Sequence, residues 1–172
     1  MKMNSVCLEM LTDRGYKKEE EYLEDEATEP AFPVFIKPNE KKCIVFENKT
    51  KLTIQILKKH LTFSQQHEIY HIIILFNENI TPPAKKVIEI AFDFTIELFL
   101  LDEMVFNITK HYLVPRHIKL PDSDAKIIRD KYGASLPIIL KSDAISKWFA
   151  FAPADIIKII RTDGTVLYRR CV

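Results

Sequence analysis

Residues 67–76 read HEIYHIIILF, and this stretch carries two structural signals that exclude each other. Its first five residues match H-E-x-x-H, the zinc-protease signature, which binds metal only when both histidines lie on one face of a helix. On a helix their Cα atoms are about 6 Å apart, whereas on a strand they are about 13 Å apart. The β-branched and aromatic run that follows favours a buried strand. We therefore predict a strand over residues 69–76, and keep a zinc hydrolase built on His67, Glu68 and His71 as the alternative.

Helical and extended segments alternate on both sides of this strand. The apolar spacing predicts a helix over 51–65, and Pro82 behind a capping Thr81 begins another. Short apolar runs predict strands at 34–36, 43–46 and 95–100. Strands that alternate with helices indicate an α/β layer with a mostly parallel component. The acidic run KKEEEYLEDE, residues 17–26, favours a short solvated helix.

A second unit follows, with a different order of elements. The pattern predicts a helix over 122–132, an extended segment at 136–140, a short helix over 143–149 and a hairpin whose Asp163-Gly164 is the turn signal. Residues 1–110 carry 14 Lys/Arg against 18 Asp/Glu, whereas residues 111–172 carry 11 against 6. We therefore expect two domains, 1–110 and 111–172, that face different partners.

Composition limits the class of protein. The three cysteines, Cys7, Cys43 and Cys171, form no CxxC pair, which is typical of a reduced intracellular chain. With only 3 glycines in 172 residues no GxGxxG or phosphate loop can be built, so we expect no nucleotide cradle. We also expect no cofactor and no small-molecule substrate. No apolar run approaches the roughly 18 residues that cross a bilayer, and no signal peptide is present, so we expect no membrane partner. We also find no set of catalytic or metal-binding residues.

Several short motifs, in order and at fitting spacing, resemble the fifth subunit shared by nuclear RNA polymerases I, II and III. They are Asp13-Arg14-Gly15-Tyr16, Asn79-Ile80-Thr81-Pro82-Pro83-Ala84-Lys85, Phe106-Asn107-Ile108-Thr109-Lys110-His111, Leu113-Val114-Pro115-Arg116-His117, Leu136-Pro137, Ile157-Lys158-Ile159-Ile160-Arg161 and Tyr168-Arg169. The resemblance runs from about residue 5 to the end of the chain. Its C-terminal part is also similar to a small archaeal RNA polymerase protein that consists of this domain alone.

The resemblance implies an architecture and a role. It implies an N-terminal jaw domain with helices on a mixed sheet and a small C-terminal α+β assembly domain. It also implies a non-catalytic subunit that anchors to the largest polymerase subunit, meets other polymerase subunits and contacts downstream double-stranded DNA. The expected location is the nucleus, or a viral factory or virion if a large DNA virus encodes the chain.

The chain departs from the family in several places, among them a shortened loop at Thr162-Asp163-Gly164 and one further loop. Where the family has Gly-Ile-Lys-Arg-Gly before the strand corresponding to residues 157–161, this chain has Phe149-Ala150-Phe151-Ala152-Pro153-Ala154-Asp155. Both glycines are absent, which leaves the conformation of this turn open.

The first candidate site is a DNA contact formed by Thr81, Pro82, Pro83, Ala84, Lys85 and Lys86. A helix N-terminus attracts phosphate, and two lysines add mobile positive charge. The two prolines lack N–H groups, so we expect a loose contact that is independent of DNA sequence. The alternative is a proline-capped helix start with two solvated lysines.

The second candidate site is a subunit interface on the C-terminal hairpin, formed by Lys158, Arg161, Tyr168, Arg169 and Arg170. The alternative there is an ordinary solvated sheet face. A third hypothesis for the whole chain is a free adaptor that binds other proteins through its acidic N-terminal segment.

Overall fold

A computed structural model of the chain describes residues 3–23, 32–39 and 41–172. The chain divides into two compact units, Met1–Phe106 and Asn107–Val172. The first contains α1 (Ser5–Asp13), β1 (Lys17–Leu23), β2 (Phe32–Ile36), β3 (Lys42–Asn48), α2 (Ile54–Gln66), β4 (His71–Phe76), α3 (Pro82–Ile90) and β5 (Thr95–Leu100). The second contains β6 (Arg116–Lys119), α4 (Asp122–Tyr132), β7 (Ile138–Ile139), α5 (Ala144–Phe149), β8 (Ile156–Ile160) and β9 (Val166–Cys171). The domain boundary at residue 110 stays a prediction.

The first unit is built on a five-stranded mixed sheet in the order β1-β2-β3-β4-β5. Strands β1, β2 and β3 pair antiparallel, whereas β3, β4 and β5 pair parallel. Helices α2 and α3 connect the parallel strands, as the alternating pattern predicts. The α/β class is therefore confirmed.

Strand β4 lies at the centre of this unit. Ile72, Ile73, Ile74 and Leu75 are each 0% exposed. Successive side chains of a strand point to opposite faces, so a continuous apolar run indicates that both faces of β4 are covered. Ile72 and Ile74 pack in one cluster with residues of α2 and α3, among them Leu57 and Ala84.

The HEIYH stretch is divided between a helix end and a strand start. Helix α2 ends at Gln66, and Glu68 adopts a left-handed conformation with φ of 56°. The N–H of Glu68 donates to the carbonyl of Gln65 at 3.1 Å, and that of Ile69 donates to the carbonyl of Ser64 at 2.9 Å. These two bonds form a Schellman motif, which terminates a helix. The strand predicted from residue 69 therefore begins only at His71.

The acidic run does not form the predicted helix. Residues Lys17–Leu23 are strand β1 at the edge of the sheet, whereas residues 24–26 lie outside the described part of the chain. Lys17 pairs with Ile36, and Leu23 pairs with Phe32. Pairing with β2 thus overrides the local helix preference, and charged side chains are typical of an edge strand because they discourage further pairing.

The second unit carries a four-stranded sheet in the order β6-β8-β9-β7. Strands β8 and β9 form the predicted hairpin, and Gly164 at its turn has φ of 83°. The two faces of β8 bury different residues. Ile157 and Ile159 pack with Ile139 and Ile145 on one face, whereas Ile156 packs with Ala125 of α4 on the other.

The loop over residues 149–155, which lacks both glycines of Gly-Ile-Lys-Arg-Gly, has a backbone that suits glycine. Ala150 and Ala154 have φ of 53° and 72°, and they are four residues apart, like the two glycines of Gly-Ile-Lys-Arg-Gly. Ala150 ends α5, and the N–H of Ala154 donates to the carbonyl of Cys171 at 2.9 Å. The turn is therefore formed with alanine in a conformation that L residues disfavour.

Candidate nucleic-acid and subunit interfaces

The predicted DNA-contact segment forms the start of α3. Thr81 is the N-cap residue but makes no capping bond through its side chain. Its N–H and hydroxyl both donate to the carbonyl of Leu52, at 3.2 Å and 3.4 Å, which fixes the helix start to the strand-like segment before α2. Pro82 and Pro83 follow as the first helical residues.

Exposure divides the members of this segment into two groups. Pro82, Pro83, Lys85 and Lys86 are exposed, whereas Ala84 is fully buried in the core cluster. Ala84 therefore holds the helix against the sheet and presents nothing to a ligand. The lysine charges extend from the first turn of a helix whose N-terminus carries partial positive charge, which is the electrostatic arrangement that attracts a phosphate backbone.

The five residues of the predicted subunit interface do not form one surface. Paired residues of antiparallel strands share a face, and Lys158 pairs with Tyr168 whereas Ile157 pairs with Arg169. Tyr168 packs against the cluster that contains Ala125 of α4. Lys158, Tyr168 and Arg170 consequently belong to the face that α4 covers, and Arg169 belongs to the opposite face.

Arg161 and Arg169 lie together at a shallow groove of about 250 Å³ in the second unit. Its apolar walls include Leu113, Val114, Ile159 and Leu167. Leu113 is 70% exposed, so an apolar residue at the groove rim faces solvent. A cationic pair beside exposed apolar surface is typical of a protein interface, where arginine and apolar residues are enriched.

A buried charged network lies in the first unit. The Arg14 guanidinium donates two hydrogen bonds to the Glu97 carboxylate, at 2.8 Å and 2.7 Å, and the Arg14 side chain is 2% exposed. His71 Nε2 lies 2.7 Å from the same carboxylate, and Tyr16 Oη lies 2.9 Å from His71 Nδ1. With Nε2–H donating to Glu97, Nδ1 accepts the hydrogen bond from the Tyr16 hydroxyl.

This network fixes the charge of Glu97. Burial raises the pKa of the Glu97 carboxyl, but the bonds from His71 and Arg14 outweigh it and lower that pKa to about 2. Burial also raises the pKa of Tyr16 above its usual range. The network ties the end of α1 to the starts of β4 and β5, and we assign it a structural role. The Asp13-Arg14-Gly15-Tyr16 motif in the sequence was the signal for it, but its partner Glu97 is 83 residues away from Arg14.

The zinc-hydrolase alternative finds no support in this geometry. Both ring nitrogens of His71 have hydrogen-bond partners, and the ring of His67 packs on Phe63 with centroids 4.6 Å apart. In the described ranges no group of three or more His, Cys, Asp or Glu side chains is arranged to hold a metal ion. Within the same ranges, no helix has the length and apolar character required to cross a membrane.

Comparison with known proteins finds similarity to RNA polymerase subunits. Residues 106–172 match the family model described as RNA polymerase Rpb5, C-terminal domain. The whole chain is 27% identical over 190 aligned residues to the Dictyostelium discoideum "DNA-directed RNA polymerases I, II, and III subunit rpabc1", covering 96% of that protein. It is 28% identical to the Caenorhabditis briggsae subunit RPABC1 of the same polymerases, with 95% of this chain and 89% of that one aligned. It is 29% identical to the Arabidopsis thaliana "DNA-directed RNA polymerase subunit 5-like protein 1", with 96% and 90% aligned.

A solved structure also aligns in part. A repair endonuclease from Pyrococcus abyssi overlaps 57% of this chain and 46% of its own, with 11% sequence identity and a TM-score of 0.39. A likeness this loose carries no argument about fold or function.

Proposed function

We propose, from the similarity to subunits shared by RNA polymerases I, II and III, that the chain is a non-catalytic structural subunit of a DNA-directed RNA polymerase. The observation that carries this proposal is similarity along nearly the whole chain, 95–100% of its length in the relatives compared, together with the Rpb5 C-terminal domain match over 106–172. In this role the second unit anchors to the largest subunit, the first contacts downstream duplex DNA, and the protein acts in the nucleus.

The groove beside Arg161 and Arg169 is the better candidate for anchoring. The opposite face of the hairpin is covered by α4, which leaves Lys158 and Tyr168 only partly exposed. Arg161 and Arg169 are exposed and stand beside apolar groove walls. A partner that inserts an apolar side chain between acidic groups would fit this surface.

Charge reversal tests the anchoring surface. We expect the double variant Arg161→Glu and Arg169→Glu to lose most of its incorporation into polymerase, measured as the amount recovered with the largest subunit by affinity purification. The matched control is Lys126→Glu with Lys131→Glu, two exposed cations on α4, which we expect to incorporate normally. Equal incorporation of both double variants would argue against this groove. Truncation before Asp155 is a weaker test, because it removes both β8 and β9 and with them the sheet itself.

Lys85 and Lys86 are the residues of the DNA-contact segment that carry charge. Each phosphate contact that a cation makes contributes about −0.9 to the slope of log affinity against log salt concentration. We therefore expect the double variant Lys85→Gln and Lys86→Gln, in assembled polymerase, to crosslink less to the downstream duplex and to reduce this slope by up to about two. Unchanged crosslinking together with unchanged salt dependence would show that this segment does not contact DNA.

A further inference from the structure

A basic cavity of about 660 Å³ lies in the first unit, apart from the start of α3. Its lining includes Lys37, Lys41, Lys42, His67, Glu68 and Thr95. The volume is within the range of about 300–1,000 Å³ that is typical of small-ligand sites. We propose that this cavity binds a small anion that carries two or more phosphate groups.

The sheet topology places the cavity at the amino ends of the parallel strands. Lys42, His71 and Thr95 are the first residues of the parallel strands β3, β4 and β5, and all three line the cavity. The start of α3 follows the carboxyl end of β4 and therefore lies at the opposite end of the same parallel strands. The cavity is therefore a different surface from the segment that includes Lys85.

Three ammonium groups come from one tight connection between strands. Ile36 pairs with Lys42, and the N–H of Lys37 donates to the carbonyl of Lys41 at 3.0 Å. This bond holds Lys37 and Lys41 side by side at the cavity. The Lys42 ammonium is already paired with the Glu19 carboxylate at 3.5 Å. Among the described lining residues, Glu68 supplies the one carboxylate beside the other two cations, Lys37 and Lys41.

Lys37 is held in place before any ligand arrives. Its ammonium lies 4.5 Å from the centroid of the Tyr16 ring, a cation–π contact that aligns the side chain. Burial, with Arg14 nearby, lowers the pKa of Lys37, which is the response of a cation that lacks full compensation by solvent or a carboxylate. An anion in the cavity would provide that compensation.

The end of α2 also borders the cavity, and helix C-termini attract cations. However, the carbonyls of Phe63, Ser64 and Gln65 already accept hydrogen bonds from His67, Ile69 and Glu68. The lysines are therefore not needed to satisfy these carbonyls, whereas an oligophosphate offers several strong acceptors for them at once.

The test is a calorimetric titration of the full chain with inorganic tripolyphosphate at low ionic strength. We expect saturable binding that weakens at least about tenfold in Lys37→Met with Lys41→Met, because two charge-assisted hydrogen bonds are lost. Methionine retains an apolar stem that can pack on Tyr16. The control, Lys49→Met with Lys51→Met, makes the same change of charge at two exposed lysines just after the carboxyl end of β3, away from the cavity, and should bind as the wild type does.

Three results would overturn the proposal: no saturable binding to the wild type, equal weakening in the control, or amide shifts on titration that avoid Glu68 and Thr95. A short DNA duplex at the same phosphate concentration is a second probe. If duplex binding depends on Lys37 and Lys41 as strongly as tripolyphosphate binding does, the assignment to a small anion is wrong. Neither the tested lysines nor the control lysines belong to the DNA-contact segment or to the C-terminal groove, so failure here leaves the proposed function unaffected.

Discussion

Substituting glycine for Ala150 and Ala154 should stabilise the second unit. Both residues hold a left-handed backbone, with φ of 53° and 72°, and both methyl groups are exposed. The hydrogen bonds at these positions come from the main chain, to Lys147 and Cys171. Glycine therefore keeps every local bond and loses almost no packing.

The magnitude follows from two opposing terms. The left-handed conformation costs an L residue about 1–2 kcal/mol. Glycine avoids this strain but loses more backbone entropy on folding, about 0.5–1 kcal/mol. The net gain is about 0.5–1 kcal/mol at each site, or roughly 1–2 kcal/mol for the double variant if the sites are additive.

Urea unfolding followed by tryptophan fluorescence measures this gain. Trp148 is the sole tryptophan and is 3% exposed in α5, so its signal reports on the second unit. The matched control is Ala152→Gly, an exposed alanine in the same loop whose φ is not positive, and it should gain nothing or lose up to about 1 kcal/mol. A double variant that is less stable than wild type, or a control that gains as much, would refute the reasoning.

Three further predictions concern the first unit and use the same unfolding assay, followed by circular dichroism. Glu68→Gly should raise the free energy of unfolding by about 0.5–1 kcal/mol, because Glu68 is left-handed at the end of α2; a loss of stability would contradict the helix-end assignment. Arg14→Met should cost about 3–5 kcal/mol, because it leaves the buried Glu97 carboxylate without its bidentate partner; a cost below about 1 kcal/mol would show that the pair is not structural. Burial lowers the pKa of His60 from 6.5 to about 4, and that of Glu97 lies below its usual 4.5 at about 2. Since both folded pKa values are depressed, stability should be full above pH 6.5 and should fall first between pH 6.5 and 4 through His60, then below pH 4.5 through Glu97. His60→Phe should remove the first of these losses, and an unchanged pH profile in that variant would contradict the assignment.

Local patterns predicted much of the fold. The run Ile72–Phe76 gave the central strand, Pro82 behind Thr81 gave the start of α3, and Asp163-Gly164 gave the hairpin turn. Each of these signals depends only on neighbouring residues in the sequence. The tertiary contacts in the structure agree with these local preferences.

The features that local patterns did not predict depend on contacts between residues that are distant in the sequence. The acidic segment 17–23 is a strand because β2 lies beside it, and Arg14 is buried because Glu97 reaches it across the unit. The division of the hairpin cations between two faces did not depend on distant contacts. Neighbouring strand residues point in opposite directions, so the adjacent Arg169 and Arg170 could have been separated from the sequence alone.

The central claim is that this chain is a subunit of a DNA-directed RNA polymerase. The most direct test is to tag the chain at natural expression level in its own cells, purify it at moderate salt and quantify the co-purifying proteins by mass spectrometry. We predict the largest polymerase subunits in equimolar amounts with the tagged chain. A tagged chain recovered alone, or with partners in variable ratio and no large polymerase subunit, would contradict the claim.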